Sequence, residues 1–498
     1  MENAYLSMLA DALRAAGSED IVVSPGSRNA PVAALLHRSG MFRMHYVVDE
    51  RSAAFVALGM AVQSFRPVAL LCTSGSAVLD YAPALAEAYY SRIPLLAVTA
   101  DRPARWVDQR DSQTIRQCEA LRAVVRDCVD IHAGLSADHI NVLLNKAIWA
   151  MNGRVPGPVQ INVEVDVSVP AGEYGASPFR HIERIYPPAE PDVSFLRPYR
   201  RVLVLFGGMR PDRRLQDAVR RLPCDYCAEV QANLPAGIPS RKLWKNVLDY
   251  DLILSAGGAL VSAPLKDAVR RSGIPVVNIG YDDMPVDTFG NCVAGVEADP
   301  TDFFSALATG PRREYGCSPS APRSADASAV AAIIAGAPVG SVLHLSAGMS
   351  VRYAQDCDCS RFSFVWANRG VSGIDGCSST ALGAALATDS TVLLITGDMC
   401  AAYDVAAMAC REAPANLRIA VISNGRGAIF DKVATTSVLP EKDSYCTPLQ
   451  KFPLEKLAKA YGWNYFSVPY GSTEVPEAFF ADSDAPAVLE FFTEPNIE

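Results

Sequence analysis

Short, continuous apolar runs recur along the chain, separated by longer stretches of mixed polar and apolar residues. Ile21-Val22-Val23, Val68 to Cys72 and Pro94 to Val98 are too short for helices. They lack polar alternation, as strands buried on both faces of a parallel sheet do. Between them, stretches such as Ala77 to Tyr90 follow Gly/Ser turns that supply N-caps and are read as helices. The first 17 residues form an amphipathic helical pattern. Pro158 to Val163 is the last strand of this first block. A second block has strands at Arg201 to Phe206, Leu252 to Ser255 and Ile274 to Ile279. A third has them at Val342 to Leu345, Val392 to Thr396 and Ile419 to Ser423. Repeated strand–helix alternation predicts an α/β chain of three doubly wound parallel-sheet domains, at 1–180, 195–310 and 328–498. A Pro-rich linker at 186–191 and a Ser/Pro/Ala-rich one at 310–329 separate them. Ligands of such sheets sit beyond the carboxyl ends of the strands.

At 498 residues the chain is long enough for about three domains. No apolar run reaches the roughly 20 residues of a membrane span. The N-terminus lacks the basic-then-apolar order of a signal peptide, so a cytoplasmic protein without membrane insertion is expected. A net charge of −9 argues against nucleic acid as a partner, and anionic substrates would need a local cluster of cations. Thirteen cysteines show no disulfide framework. Cys224 and Cys227 form the single CxxC, with no second pair at zinc spacing. The six histidines are scattered. Gly207-Gly208 and Gly257-Gly258 each follow a strand, but neither completes a dinucleotide fingerprint, and tight turns are the simpler reading.

Two positions carry more chemistry. Gly397-Asp398-Met399 directly follows one apolar strand, and Asn424-Gly425-Arg426-Gly427 follows the next. That interval is one βαβ crossover, which brings Asp398 and Asn424 to neighbouring strand ends. A carboxylate and an amide oxygen suit a hard cation such as Mg²⁺, and Gly397 leaves room for backbone donors to approach a diphosphate. Glu50, in Asp49-Glu50-Arg51-Ser52 between a strand and a helix, is by position alone a first-turn acid.

The wider text resembles one family. Ser24-Pro25-Gly26-Ser27-Arg28-Asn29, Asp49-Glu50-Arg51-Ser52, Cys72-Thr73-Ser74-Gly75-Ser76, Thr99-Ala100-Asp101-Arg102-Pro103 and Gln113-Thr114 look like the pyrimidine-binding domain of the 2-succinyl-5-enolpyruvyl-6-hydroxy-3-cyclohexene-1-carboxylate synthases. Asn368 to Gly376 and Gly427-Ala428-Ile429-Phe430 are similar to the same family, and Gly-Asp with the downstream Asn resembles its thiamine diphosphate motif. The resemblance is dense in the first and last thirds and thin in the middle.

It implies thiamine diphosphate with Mg²⁺ or Mn²⁺, and a decarboxylating addition of 2-oxoglutarate to isochorismate. Glu50 would activate the cofactor through its aminopyrimidine ring, and Ile374 would pack beneath it. Gly397, Met399, Ile429 and Phe430 would line the cofactor, with the last two also facing substrate. Asp398, Asn424 and the main-chain carbonyl of Arg426 would hold the metal. Ser27, Arg28, Arg102, Gln113, Arg352 and Arg369 would bind the substrate carboxylates, for which guanidinium forks are suited. The family's domain order gives a pyrimidine-binding, a central and a diphosphate-binding domain. It implies a homodimer or homotetramer with active sites shared between subunits. Three departures stand out. The family's Ser-Lys-Arg in the central domain is Ser262-Ala263-Pro264, leaving Lys266 as the nearest cation. Its Asn-Ser ahead of Arg352 is Ala347-Gly348, and Cys400 stands where Ser is usual. Another 2-oxo acid decarboxylase or acetolactate synthase-like enzyme, or a non-catalytic paralogue, are the alternatives.

Overall fold

Every strand pairing among the described residues is parallel. The computed structural model describes residues 4–166, 174–187, 190–316 and 319–495. The first sheet contains β1 (Asp20–Val23), β2 (Arg43–Tyr46), β3 (Val68–Cys72), β4 (Leu95–Asp101), β5 (Cys128–Ile131) and β6 (Val159–Glu164), ordered β2-β1-β3-β4-β6-β5. The central sheet has β7 (Val202–Phe206), β8 (Asp225–Ala228), β9 (Leu252–Ala256), β10 (Val276–Ile279) and β11 (Cys292–Val296), ordered β11-β10-β9-β7-β8. The third contains β12 (Val342–Leu345), β13 (Phe364–Ala367), β14 (Val392–Gly397), β15 (Leu417–Ser423), β16 (Asn464–Val468) and β17 (Ala487–Phe492). Its order, β13-β12-β14-β15-β17-β16, repeats the topology of the first sheet. The fold is three parallel-sheet α/β domains.

The first and third domains meet through two helices, Glu50–Ser64 and Cys377–Leu386. Neither has a polar face, because each is pressed between its own sheet and the other helix. Their crossing requires glycine. A Cβ on Gly59 would lie 1.9 Å from the Thr380 carbonyl oxygen, and one on Gly383 would lie 1.9 Å from that of Val56. Residues of both helices, with Leu70 and Leu394 from the two sheets, share one continuous apolar core. The central domain docks on the third. Asn233 donates from Nδ2 to the Val365 carbonyl (3.0 Å) and accepts from its N–H (2.8 Å), and Val261 enters a core with Val351.

Several sequence expectations change in detail. The stretch Ala77 to Tyr90 is two helices, Ser76–Asp80 and Ala82–Ser91, broken at buried Tyr81 ahead of Pro83. The Ser/Pro/Ala-rich stretch is not linker to its end, because Ser324 caps a helix, Ala325–Gly336, by accepting from Ala327 N–H. Alanine-rich sequence is good helix former once a cap starts it. The two Gly-Gly turns pack on one another: Gly258 N–H donates to the Gly208 carbonyl (2.8 Å), and a Cβ on Gly207 would strike the Gly258 carbonyl oxygen at 1.8 Å. Cys224 and Cys227 enter different apolar cores on opposite faces of the central sheet, so they do not converge on one ion. Among the described residues, no helix is long and apolar enough to cross a membrane.

Candidate active site

Parallel strands send all their carboxyl ends to one side of a sheet, and the candidate cofactor, metal and substrate residues lie in segments that follow such ends. Ser27 and Arg28 follow β1, Glu50 follows β2, and Arg102 and Gln113 follow β4. Arg352 follows β12, Arg369 and Ile374 follow β13, Gly397 to Met399 close β14, and Asn424 to Phe430 follow β15.

Asp398 and Asn424 come together as their spacing predicts. Asp398 is buried, and its carboxylate accepts from Met399 N–H (2.7 Å) on one oxygen. The other oxygen accepts from Asn424 N–H (3.1 Å) and Gly425 N–H (2.6 Å). Burial pushes its pKa up to about 6 against those three donors, and the charge of Asp326 adds to the rise. Asn424 Oδ1 accepts from Arg426 N–H (3.1 Å), and Asn424 Nδ2 donates to Asp326 (3.3 Å). The Arg426 carbonyl accepts from Ala428 N–H (2.9 Å), while its guanidinium lies between Asp431 and Glu494. Gly397 has φ −93°, which any residue adopts, and a Cβ there would meet no atom within 4 Å. Nothing among the described residues demands glycine at 397, and the space beside it is open. No cluster of three or more His, Cys, Asp or Glu side chains suited to a metal occurs among the described residues. A cation at Asp398 would therefore rely on amide, carbonyl and ligand oxygens, as a hard ion accepts.

Glu50 opens its helix behind the N-cap Asp49, whose side chain accepts from Ser52 N–H (2.9 Å). No Lys, Arg or His among the described residues forms an ion pair with the Glu50 carboxylate. Partial burial raises its pKa, its own amide opposes the rise, and the charges of Asp80 and Asp49 add to it. The neighbouring Arg51 turns away, donating to the Asp375 carbonyl (2.8 Å) and stacking 5.2 Å from the Tyr403 ring centroid. Ile374, beside Asp375, is 38% exposed, a large apolar side chain with little cover within the chain. Met399, Ile429 and Phe430 are half-buried.

The cations fall into two groups. Arg28 donates to the Val165 carbonyl (2.8 Å), and Arg102 pairs with Asp111 (2.7 Å). Burial, then the nearby charge of Arg102, lowers the pKa of Arg28. Ser27, next to Arg28 in the chain, is exposed, and Gln113 is exposed with φ +54°, packed against Gly75. In the third domain, Arg352 donates to the carbonyls of Ala347 and Gly348, and Arg369 reaches Ala347 at 3.5 Å. Burial lowers the pKa of both, and Arg369 lowers that of Arg352 further. Lys266 joins this second group from the central domain. Burial lowers its pKa first, and then the charges of Arg369, Arg270 and Arg352. The one acid facing it, Glu229, is nearly buried and accepts from Val261 and Ser262 N–H. Among the described residues, the acids that face these three cations, Glu229 and Glu87, already accept from backbone N–H groups. No hydrogen bond or ion pair among the described residues joins this group to Arg28 and Arg102.

Supporting residues were not readable in advance. Glu87 accepts from Gly370 and Val371 N–H (2.7 and 2.8 Å), clamping the loop that carries Arg369 and Ile374. Gln117 accepts from Gly75 N–H (3.1 Å) and donates to Ala100 O and Asn162, fixing the loop of Gln113. Their partners lie far away in sequence, and an isolated Glu or Gln on a helix or loop carries no motif.

Residues 5–120 match the family model described as the thiamine pyrophosphate enzyme N-terminal TPP-binding domain. Across 99% of its length the chain is 34% identical to the 2-succinyl-5-enolpyruvyl-6-hydroxy-3-cyclohexene-1-carboxylate synthase of Desulfotalea psychrophila, covering 98% of that protein. The chain belongs to this synthase family. A second member, from Cytophaga hutchinsonii, is 32% identical over 96% of the chain and 94% of its own length. The similarity spans nearly the whole chain, the central domain included. The benzoylformate decarboxylase of Polynucleobacter necessarius superposes with a TM-score of 0.75 over 99% of both chains at 15% identity, which shows a common fold.

Proposed function

We propose that this chain joins 2-oxoglutarate, with loss of CO₂, to isochorismate, giving 2-succinyl-5-enolpyruvyl-6-hydroxy-3-cyclohexene-1-carboxylate for menaquinone biosynthesis. The observation that carries the reading is full-length family similarity in a chain that keeps Glu50, Asp398 and Asn424 at strand ends. Thiamine diphosphate supplies the carbanion chemistry when bound. Asp398, Asn424 and the Arg426 carbonyl would hold Mg²⁺ or Mn²⁺, which in turn would hold the diphosphate. The open space at Gly397 and the all-oxygen donor set fit that role.

The remaining work falls to the side chains. Glu50, raised in pKa and without a basic partner, is suited to share a proton with a nitrogen of the aminopyrimidine ring. Both substrates are dicarboxylates. Arg352, Arg369 and Lys266 form one cationic wall, and Arg28 and Arg102, with Ser27 and Gln113, form another. Their low-dielectric setting strengthens the pull on developing negative charge. The two walls are unjoined within one chain, and Ile374, Val371 and Tyr403 expose apolar surface beside Glu50's helix. Both features support a homodimer, or a tetramer of such dimers, with sites completed across the interface. We take 1–180, 195–310 and 328–498 as the pyrimidine-binding, central and diphosphate-binding domains, working in the cytoplasm.

The test is isochorismate consumption by purified protein with 2-oxoglutarate, thiamine diphosphate and Mg²⁺, beside Glu50→Gln. Consumption that requires 2-oxoglutarate and collapses in the variant supports the reading. Release of succinic semialdehyde with isochorismate untouched would replace it with a simple decarboxylase.

A further inference from the structure

Asp326 lies in the first turn of the helix Ala325–Gly336, inside a stretch whose composition reads as linker. The fold turns that helix so that Asp326 reaches two strand ends of the third sheet. One carboxylate oxygen accepts from Thr493 Oγ1 (2.6 Å), just past β17. The other accepts from Asn424 Nδ2 (3.3 Å), just past β15. Thr493 is itself fixed, since its N–H donates to the Ser423 carbonyl (3.0 Å). Asp326 is therefore anchored to the strand that carries Asn424 by a route independent of Asn424's own side chain.

The two ends of an asparagine amide are alike in shape and opposite in chemistry, and only the oxygen can ligate a cation. Which end faces forward is decided by the partners behind it. A carboxylate only accepts, so the partner of Asp326 must be the Nδ2 end. Oδ1 is then left at the other end, where it accepts from the Arg426 N–H. Outer groups of this kind orient metal ligands and raise affinity.

We propose that Asp326 is a positioning residue of the metal site, locking the Asn424 amide with its oxygen forward and adding a negative charge behind it. This rests on Asp398 and Asn424 holding the metal, and the test separates the two claims. Mn²⁺ is titrated into protein saturated with thiamine diphosphate, and free Mn²⁺ is counted by electron paramagnetic resonance. Thermal unfolding of the same proteins is followed without metal. Asp326→Ala is expected to weaken Mn²⁺ binding about 10- to 100-fold. Asp326→Asn keeps one acceptor and is expected to lose less, roughly 3- to 10-fold. Metal-free unfolding temperatures near that of the wild type would show that the loss is specific to the site. Wild-type protein that binds no Mn²⁺ overturns the metal site itself. Wild-type binding with Asp326→Ala within twofold of it overturns the role of Asp326 alone. If Asp326→Ala does not fold, Asp326→Asn decides: unchanged affinity overturns the proposal and a loss supports it.

Discussion

The two carboxylates at the heart of the site are both raised in pKa by burial, yet their surroundings are opposite. Asp398 spends both oxygens on three backbone N–H groups of its own domain. Glu50 has acids rather than bases beside it and offers its carboxylate to whatever arrives. A group held from three sides is fixed in position, which suits a ligand for an ion. A group left without a partner keeps its free energy of interaction for the bound state, where it changes a rate. The same contrast separates the two sheets of identical topology that carry them: one holds an anchor and the other an open acid.

The sharpest way to break the contrast is to exchange the consequences of losing each acid. Glu50→Gln should lower kcat by about 10²- to 10⁴-fold. It should leave thermal stability near the wild type, because no partner is orphaned. Asp398→Ala should do the reverse in kind. It strands three buried or half-buried donors, at about 1–3 kcal/mol for each one left unsatisfied. The unfolding temperature should drop, and Mn²⁺ binding should be lost with it. Equal thermal shifts in the two variants would show that the acids do not differ as their hydrogen bonds indicate.

How far the chain could be read beforehand follows the same physics. Val68 to Cys72 and Val342 to Leu345 are strands to the residue, because interior strands of parallel sheets are apolar on both faces. The edges are different. β2 reads Arg-Met-His-Tyr and β11 is largely exposed, so neither has a continuous apolar run; the strand ahead of Glu50 was expected without bounds, and β11 emerges only when β10 pairs with it. Asp398 and Asn424 were readable because crossover length fixes neighbouring strand ends. Asp326 and Glu87 were not, since each meets its partner through the packing of a remote helix. Lys266 illustrates the middle case. Sequence singled out a missing cation pair, and the structure shows Lys266 four residues beyond Ser262 on the same helix, facing Arg369 and Arg352.

That cation provides a smaller test. Lys266→Met keeps the apolar stem and removes the charge. Its loss should raise the KM for a dicarboxylate substrate about 10- to 100-fold, the scale of one charge-assisted hydrogen bond of about 1.5–3 kcal/mol, with kcat changed less. Lys266→Arg should restore most of it. An unchanged KM in Lys266→Met would confine substrate recognition to the arginines.

The smallest effect concerns the seam that holds the two unlike regions together. His45, on β2, bonds Asp20 through Nε2 (3.0 Å) and Glu412 of the third domain through Nδ1 (3.0 Å), while Tyr46 N–H donates to the same glutamate (2.7 Å). Burial pulls the His45 pKa down, but its hydrogen bonds to the Asp20 and Glu412 carboxylates outweigh that, so the net shift is upward. The Asp20 pKa falls to about 2, because Arg43 and His45 outweigh its burial. For a histidine with a raised folded pKa, the stabilisation is fully present below its unfolded value near 6.5. It is lost as pH climbs through the folded value. For Asp20 the stabilisation is present above its unfolded value of 3.8 and disappears as pH falls towards about 2. The contact between domains should therefore be firmest between those limits. His45→Gln can keep one hydrogen bond but not the charge. It should lower the free energy of unfolding at pH 6 by an amount on the order of 1 kcal/mol, with the difference from wild type shrinking as pH rises towards 9. A difference that stays constant with pH would mean that His45 joins the domains by shape alone, and that the seam carries no charge of its own.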